Sequence, residues 1–217
     1  MAITNGCGDQ NKIHILDKYH LYPVIHAVLL HGRSITCCCG QPIVDEFYQF
    51  DAIDQGGNVL NVLFASATCA RTLLRLSQTH GPEPVALLPL FSPLQHHHGD
   101  MRGGPEAEEN HLSKHPLNAE VEAAIYLTLT CGDSSPQQRR IFAQALNRIR
   151  LNPTFPIMDW EVKSINSTIS KGGKCLPAML DDQREKNPEL RHYTFPEISA
   201  ALKREAARTG LRIHCNL

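Results

Sequence analysis

The sequence lacks any hydrophobic run long enough to cross a lipid bilayer. A membrane-spanning helix needs about 18–20 consecutive apolar residues, whereas the most apolar early segment, 21–30, is interrupted by Pro23 and His26. That segment also lacks the small-residue cleavage site that ends a signal peptide. We therefore expect a soluble, intracellular protein of the cytoplasm or the nucleus, which is not secreted and has no membrane partner.

Aromatic residues are scarce as well. They make up 6% of the chain, with Trp160 as the single tryptophan, so the core must be mainly aliphatic. Hydrophobic residues at 42% and charged residues at 20% are ordinary for a globular protein. A chain of 217 residues suits one large domain or two small ones.

Motifs that identify common enzyme classes are absent. The sequence contains no phosphate-binding glycine loop, no dinucleotide-binding fingerprint and no HExxH zinc motif. No motif therefore assigns a reaction or a cofactor, and both stay open at this point.

Cysteine, by contrast, is abundant. Eight cysteines occur, at positions 7, 37, 38, 39, 69, 131, 175 and 215, and three of them are adjacent. In a chain without an export signal, thiols stay reduced, and several of them pack as small hydrophobic side chains. We predict free thiols rather than a disulfide framework.

Charge is distributed unevenly along the chain. Residues 1–133 contain 7 Lys and Arg against 14 Asp and Glu, whereas residues 134–217 contain 14 against 8. An asymmetry of this kind indicates either a half that binds an anionic partner or two halves that attract each other.

Composition also divides the chain into three parts. The segment 91–117 is rich in Gly, Pro, His and charged residues and has neither a strand nor a helix period, which predicts a flexible linker or loop. Residues 1–90 then form a mixed region and residues 118–217 a helical one, docked on the first in one interpretation. The fold class that this organisation favours is α+β, with α/β as the alternative.

In the N-terminal half the local patterns are mixed. We expect a short helix at 23–31 and strands at 34–39, 47–50 and 85–90, with residues 1–10 frayed. In the run 58–81, apolar residues recur at helical spacing from Leu60 to Leu76, while 59–64 fits a helix or a buried strand equally well. Gly81 and Pro82 end it.

Helix start and stop signals are clearer in the C-terminal half. They predict about four helices, at 119–131, 136–150, 159–170 and 196–208, and an edge strand in the tail after Gly210. Ser135 and Pro136 are the best example, because serine caps a helix and proline suits its first position.

One candidate site is a helix–turn–helix formed by the first two of these helices. Basic side chains neutralise phosphates, and glutamine near a helix start can read base edges. A nucleic-acid or acidic-protein partner would then contact Gln137, Gln138, Arg139, Arg140, Arg148 and Arg150. The alternative is an ordinary helical hairpin with a solvated polar face.

A second candidate is a zinc site in the N-terminal half. Zinc prefers nitrogen and sulfur ligands in a tetrahedron, and His26, His31, Cys37 and Cys39 supply such ligands within a short stretch. Adjacent residues on a strand point to opposite faces, which is why Cys37 and Cys39, but not the cysteine between them, enter this prediction.

A third candidate is a thiol nucleophile. Cys69 lies at a predicted strand-to-helix transition, where a helix N-terminus lowers a thiol pKa, and His80 or His26 would act as the base. The alternative is that Cys69 packs in the apolar stripe of its helix.

These patterns support two functional hypotheses. In the first, a regulatory or binding protein engages an anionic partner through its basic helical half. In the second, a cysteine- and histidine-dependent or metal-dependent enzyme has its site in the N-terminal half. The charge asymmetry favours the first hypothesis.

Overall fold

A small antiparallel sheet and seven α-helices make up the described part of the protein. The computed structural model describes residues 2–56, 59–81, 83–94, 114–132 and 134–217. The chain divides into two compact units, Met1–Ser92 and Pro93–Leu217. Each unit is built around its own set of elements.

The N-terminal unit contains a three-stranded sheet in the order β1-β4-β5. Its strands are β1 (His20–Val28), β4 (Glu46–Ile53) and β5 (Val59–Ala65), and both pairings are antiparallel. A separate two-residue hairpin pairs β2 (Ile35–Thr36) with β3 (Pro42–Ile43). The central strand β4 is buried over six successive residues, as expected for a strand covered on both faces.

Two helices complete this unit. Helix α1 (Asp9–Lys18) packs against α2 (Ala67–Ser77), and α2 also contacts β4 and β5. The second helix begins at an N-cap serine, Ser66, whose hydroxyl accepts a hydrogen bond from the Cys69 amide at 3.4 Å. Its buried stripe includes Cys69, Leu73 and Leu76, so the predicted apolar spacing is confirmed.

Several local predictions for this unit are wrong. The segment 23–31, expected as a helix, is mostly strand β1, because its backbone pairs with β4 over most of its length. The expected strand 34–39 ends at Thr36 and turns at Cys38 and Cys39. Residues 85–90 form no strand, although Phe91 bridges to β1.

The N-terminus is ordered where fraying was expected. The amide of Ile3 donates to the Val62 carbonyl at 2.9 Å, and helix α1, which the sequence analysis did not predict, begins at Asp9. Local pattern alone gives little sign of this helix, since only Lys12, Ile15 and Leu16 are buried.

The C-terminal unit is helical. Its α-helices are α3 (Pro116–Cys131), α4 (Pro136–Leu151), α5 (Asp159–Ile169), α6 (Leu176–Arg184) and α7 (Pro196–Thr209), with a 3₁₀ turn at Ser170–Gly172. The four predicted helices are confirmed to within three residues at each end. The short α6 was not predicted, because nine residues provide too little periodicity to stand out from a loop.

Side-chain hydrogen bonds fix one helix boundary of this unit and join a second helix to a loop. Ser135 and Gln138 form a reciprocal capping box at the start of α4, which confirms the predicted start. Asn118 is fully buried inside α3. Its side-chain nitrogen donates to the main-chain carbonyls of Pro153 and Phe155, and its side-chain oxygen accepts from the main-chain amide of Ile157.

These elements confirm the α+β fold class, with a small sheet in the N-terminal half and helices dominating the C-terminal half. The tail after Gly210 is coil rather than an edge strand. Within the described residues, no helix combines the length and the apolar character needed to cross a membrane. Most of the predicted linker, residues 95–113, lies outside the described residues.

Candidate metal centre

Three cysteine sulfurs converge in the N-terminal unit. The Sγ atoms of Cys37, Cys38 and Cys69 all lie within 4.8 Å of one another, and all three residues are buried. The sulfurs of Cys37 and Cys38 are 4.0 Å apart. Among the cysteine, histidine and acidic side chains of the described residues, these three cysteines form a group that is close enough to share one metal ion.

A tight turn brings two of these sulfurs together. The Cys37 amide donates to the Gln41 carbonyl at 2.8 Å, and the Gly40 amide donates to the Cys37 carbonyl at 2.8 Å. Gly40 has a φ of +86°, a conformation that residues with a Cβ rarely adopt. Because the chain turns here instead of continuing as a strand, the side chains of neighbouring cysteines need not point in opposite directions.

Backbone contacts hold this turn in place. The Cys38 amide donates to the Phe64 carbonyl of β5 at 2.6 Å, and its carbonyl accepts from the Gly6 amide at 2.7 Å. A Cβ at position 6 would lie 3.2 Å from the Cys38 carbonyl oxygen and 3.0 Å from Ile15 Cδ1. The absence of a side chain at Gly6 therefore allows the N-terminal segment to pass close to the cysteine turn.

The third sulfur comes from the first turn of α2. The Ser66 amide donates to Cys37 Sγ at 3.4 Å, while the Ser66 hydroxyl lies 3.9 Å from the same sulfur. Ser66 thus caps the helix that carries Cys69 and also contacts Cys37. The positive end of a helix dipole favours a negative charge at this position.

These contacts shift the pKa values of the three thiols in different directions. Hydrogen bonding from the Cys38 thiol holds the pKa of Cys37 well below its usual range against the opposing effect of burial, with the amides of Cys39 and Ser66 as further donors. The hydrogen bond to Cys37 and burial raise the pKa of Cys38. Burial, together with a hydrogen bond to Cys37, raises the pKa of Cys69 to about 11. These surroundings therefore favour negative charge on Cys37 and disfavour it on Cys38 and Cys69.

Two further residues influence the cluster. The ammonium of the buried Lys12 on α1 attracts negative charge on Cys38 and, as the smallest of the effects on this thiol, opposes the rise of its pKa. Cys39, which follows Cys38 in the turn, is half-buried, whereas the three cysteines of the cluster are buried. Its side chain lowers the pKa of Cys37 and raises that of Cys69.

The spacing of the sulfurs fits a thiolate-ligated metal ion. Zinc–sulfur bonds of about 2.3 Å in a tetrahedron separate neighbouring sulfurs by about 3.8 Å. The observed distance of 4.0 Å between the sulfurs of Cys37 and Cys38 is close to this value. Because all three sulfurs lie within 4.8 Å of one another, small side-chain rotations would bring them to the spacing of a zinc site. Soft sulfur donors select zinc or copper(I) over magnesium or calcium.

The predicted zinc ligands are only partly brought together. Cys37 lies in the cluster and Cys39 beside it, whereas His26 and His31 do not belong to it. His26 Nδ1 is 2.9 Å from the Leu88 carbonyl, its Nε2 is 3.6 Å from a Glu46 carboxylate oxygen, and its ring stacks on Tyr48. His31 is exposed in the loop that follows β1.

Cys38 and Lys12 were not predicted from the sequence. The strand assumption placed Cys38 on the opposite face from its neighbours, but Gly40 and Pro42 directly after the triplet signal a turn. Lys12 carries no such signal, because nothing in the sequence indicates that α1 reaches the cysteine turn.

The predicted nucleophile pair is separated by the length of a helix. Cys69 lies in the first turn of α2, and His80 follows the helix's C-terminal end. Eleven residues at about 1.5 Å each place them about 16 Å apart along the helix axis. His80 Nδ1 instead lies 3.9 Å from an Asp17 carboxylate oxygen.

Side chains of the predicted helix–turn–helix mostly make intramolecular contacts. Gln138 is buried, caps α4 and donates to the Thr168 carbonyl. Arg148 pairs with Glu161, and Arg150 donates to the Tyr126 hydroxyl. Gln137 and Arg140 are exposed, and Arg139 is half-buried.

A family model described as "Uncharacterised conserved protein UCP028583" matches residues 4–209, and the chain belongs to this family. The match covers most of both compact units and all the cysteines of the cluster. No curated protein and no solved structure gives a significant match to the chain.

Proposed function

We propose that this protein binds a soft divalent metal ion, zinc being the best candidate, through the thiolates of Cys37, Cys38 and Cys69. The observation that carries the proposal is the mutual approach of the three buried sulfurs to within 4.8 Å. The ligands come from a turn and from a helix that are distant in sequence, so metal binding would join two parts of the N-terminal unit.

Electrostatics support this proposal. Three thiolates and a divalent cation carry a net charge of −1, which is costly to bury unless it is compensated. The Lys12 ammonium, the Ser66 amide and the N-terminus of α2 supply positive charge or hydrogen-bond donors close to the sulfurs. Metal binding also displaces the thiol protons of the cluster.

The fourth coordination position distinguishes two kinds of zinc site. Structural sites are closed by four protein ligands, whereas catalytic sites keep a position for water or substrate. The half-buried Cys39, which adjoins Cys38 in the chain, is the candidate for a closing ligand. A Cys39→Ser variant that keeps its zinc would leave three cysteines as the protein ligands and an open position, as in an enzyme.

Thiolate ligands must stay reduced, which fits the reducing environment of the cytoplasm or the nucleus. Binding of an anionic partner by the basic helical half stays a prediction. The exposed Gln137 and Arg140 are its remaining support, since Arg148 is paired with Glu161.

Metal analysis of the full chain tests the proposal. We expect one equivalent of zinc per chain after purification under reducing conditions, and sulfur-to-metal charge-transfer absorption after replacement of zinc by cobalt(II). Cys37→Ser and Cys69→Ser should lose most of the metal. Cys131→Ala, which removes a buried thiol from the other unit, and Cys215→Ser, which removes an exposed one, are the matched controls.

Two results would overturn the proposal. The first is a chain that takes up no zinc or cobalt(II) when its thiols are fully reduced. The second is equal loss of metal in Cys69→Ser and in the control Cys131→Ala, because a general effect of cysteine removal would then explain the data.

A further inference from the structure

We propose that mild oxidation joins Cys37 to Cys69 in a disulfide and thereby expels the metal ion, so that the site is regulated by the redox state of its own ligands. This inference rests on the proposed metal binding. It is carried by the arrangement of the cysteines in a turn and a helix, and by their different access to solvent.

Chain geometry selects the pair. Adjacent residues joined by a trans peptide bond have Cα atoms about 3.8 Å apart, which is below the range of about 4.4–6.8 Å that disulfides normally span. The described residues contain no cis peptide bond. A bond between Cys37 and Cys38, or between Cys38 and Cys39, is therefore strained, and Cys69 is the partner from a separate segment.

Contacts favour Cys37 as the partner of Cys69. The two sulfurs lie within 4.8 Å of each other, and both residues contact Ser66: its amide donates to Cys37 Sγ, and its hydroxyl accepts from the Cys69 amide. Cys38 is held by backbone hydrogen bonds to Gly6 and Phe64 on either side. The backbone of Cys37 is held as well, so the bond to Cys69 forms by side-chain rotation, and the shared contact with Ser66 favours this pair.

Burial selects a small oxidant. Cys37 and Cys69 are 1% and 7% exposed, while Cys39, in the same turn as Cys37, is half-buried. A molecule of the size of hydrogen peroxide can reach the cluster past Cys39 more easily than a bulky disulfide reagent. The exposed Cys7 and Cys215 should react with both kinds of reagent.

The chemistry balances with hydrogen peroxide as the oxidant. The Cys37 thiolate attacks one peroxide oxygen, the O–O bond breaks, and sulfenic acid and hydroxide form. The Cys69 sulfur then attacks the sulfenic sulfur, and the hydroxyl leaves as water after taking up a proton. The two sulfurs together lose two electrons, which the peroxide gains. The metal ion keeps Cys38 as its remaining ligand of the three and passes to solvent or to a chelator.

The test uses the zinc-loaded full chain, a chromogenic zinc chelator and hydrogen peroxide. We expect release of about one equivalent of zinc, in parallel with formation of the Cys37–Cys69 disulfide, and rebinding after addition of a dithiol reductant. Cys38→Ala keeps the pair and should still form the disulfide, whereas Cys69→Ala should not. Cys215→Ser is the control for oxidation elsewhere.

Peptide mapping must use a protease that separates the two cysteines. No Lys or Arg lies between Arg33 and Arg71, so trypsin leaves both cysteines in one peptide, whereas cleavage after Glu46 places them in two. Fragmentation of the linked pair then identifies which residue of the triplet is bonded to Cys69.

The possible results separate the two proposals. Zinc that stays bound in peroxide, or that leaves while Cys69 remains a thiol or pairs elsewhere, overturns the redox inference and leaves metal binding intact. A reduced chain that binds no zinc overturns the proposed function and the release step with it.

Discussion

The main-chain N–H of Ser66 points at the sulfur of Cys37, with 3.4 Å between the nitrogen and the sulfur. The same residue caps α2 through its hydroxyl, which accepts from the Cys69 amide at 3.4 Å. A single residue therefore positions both segments that contribute sulfurs to the cluster, one through its backbone and one through its side chain.

Ser66→Ala should separate these two roles. Loss of an N-cap hydroxyl costs about 1 kcal/mol of unfolding free energy, but the backbone donor to Cys37 remains in the variant. We expect lower stability in urea and an unchanged zinc stoichiometry, with at most a small loss of zinc affinity.

The control for this variant is Ser135→Ala, which removes the N-cap of α4 in the other unit. It should show a comparable loss of stability and no change in zinc affinity. Complete loss of zinc in Ser66→Ala at a temperature where the chain is folded would contradict the assignment of the backbone donor.

Gly6→Ala tests the close approach of the N-terminal segment to the cysteine turn. A Cβ would lie 3.2 Å from the Cys38 carbonyl oxygen and 3.4 Å from the Cys38 Cβ, so the turn or the segment must move. We expect a loss of about 1–3 kcal/mol of stability and a weaker zinc affinity, because Cys38 moves with its backbone.

Gly173→Ala provides the comparison. Gly173 has a φ of +85° and open space around its Cα, so alanine there is strained without touching the cysteine cluster. Stability should fall by about 1 kcal/mol, with zinc affinity as in the wild type. Equal zinc affinity in both variants, measured by competition with a chelator, would refute the coupling of Gly6 to the site.

Lys12→Met tests charge compensation at the cluster. Removing the buried ammonium leaves the anionic metal–thiolate group with fewer positive neighbours, and methionine fills a similar volume. We expect the zinc dissociation constant to rise about three- to tenfold, which corresponds to about 1 kcal/mol. Because the charge is buried, the effect should depend little on salt concentration.

Lys18→Met is the matched control, since Lys18 lies at the end of the same helix and is exposed. Its zinc affinity should equal that of the wild type. If Lys12→Met binds zinc as tightly as Lys18→Met does, the ammonium does not compensate the site.

The fold was predictable from the sequence where local signals coincide with the final structure. Ser135, Pro136 and Gln138 specify the start of α4 without help from distant residues. By contrast, β1 was expected to be a helix, because its pairing with β4 depends on residues far along the chain. Short elements such as α6 are also hard to predict, since nine residues define no clear period.

The candidate site was predictable only in part, and for a similar reason. Cys37 and Cys39 were chosen from their spacing, and Cys69 was chosen separately as a nucleophile. Their convergence depends on the turn at Gly40 and on the start of α2 at Ser66, which the sequence does not place next to each other. Cys38 was left out because it was assigned to a strand.

The last prediction concerns pH and Tyr126 in the C-terminal unit. The Tyr126 hydroxyl donates to a Glu122 carboxylate oxygen at 3.1 Å and accepts from Arg150 at 3.0 Å. Burial, followed by the negative charge of Glu122, raises the pKa of Tyr126 to about 12 against the opposing effect of Arg150. An unfolded chain would ionise this side chain at about 10.

The sign of the pH effect follows from these values. The folded state disfavours tyrosinate, so the contribution of Tyr126 to stability is complete below pH 10 and disappears as the pH rises to about 12. A difference of about two pKa units corresponds to on the order of 2 kcal/mol. Tyr126→Phe cannot ionise and should lack this dependence.

Urea unfolding of the wild type and Tyr126→Phe at several pH values tests this prediction. Near pH 9 the variant should be less stable by about 1–2 kcal/mol, because it lacks both hydrogen bonds of the hydroxyl. Above pH 10 the difference should shrink and then reverse, since the wild type alone has to keep a buried phenol protonated. A difference that stays constant from pH 9 to pH 11 would show that Tyr126 ionises equally in the folded and unfolded chains.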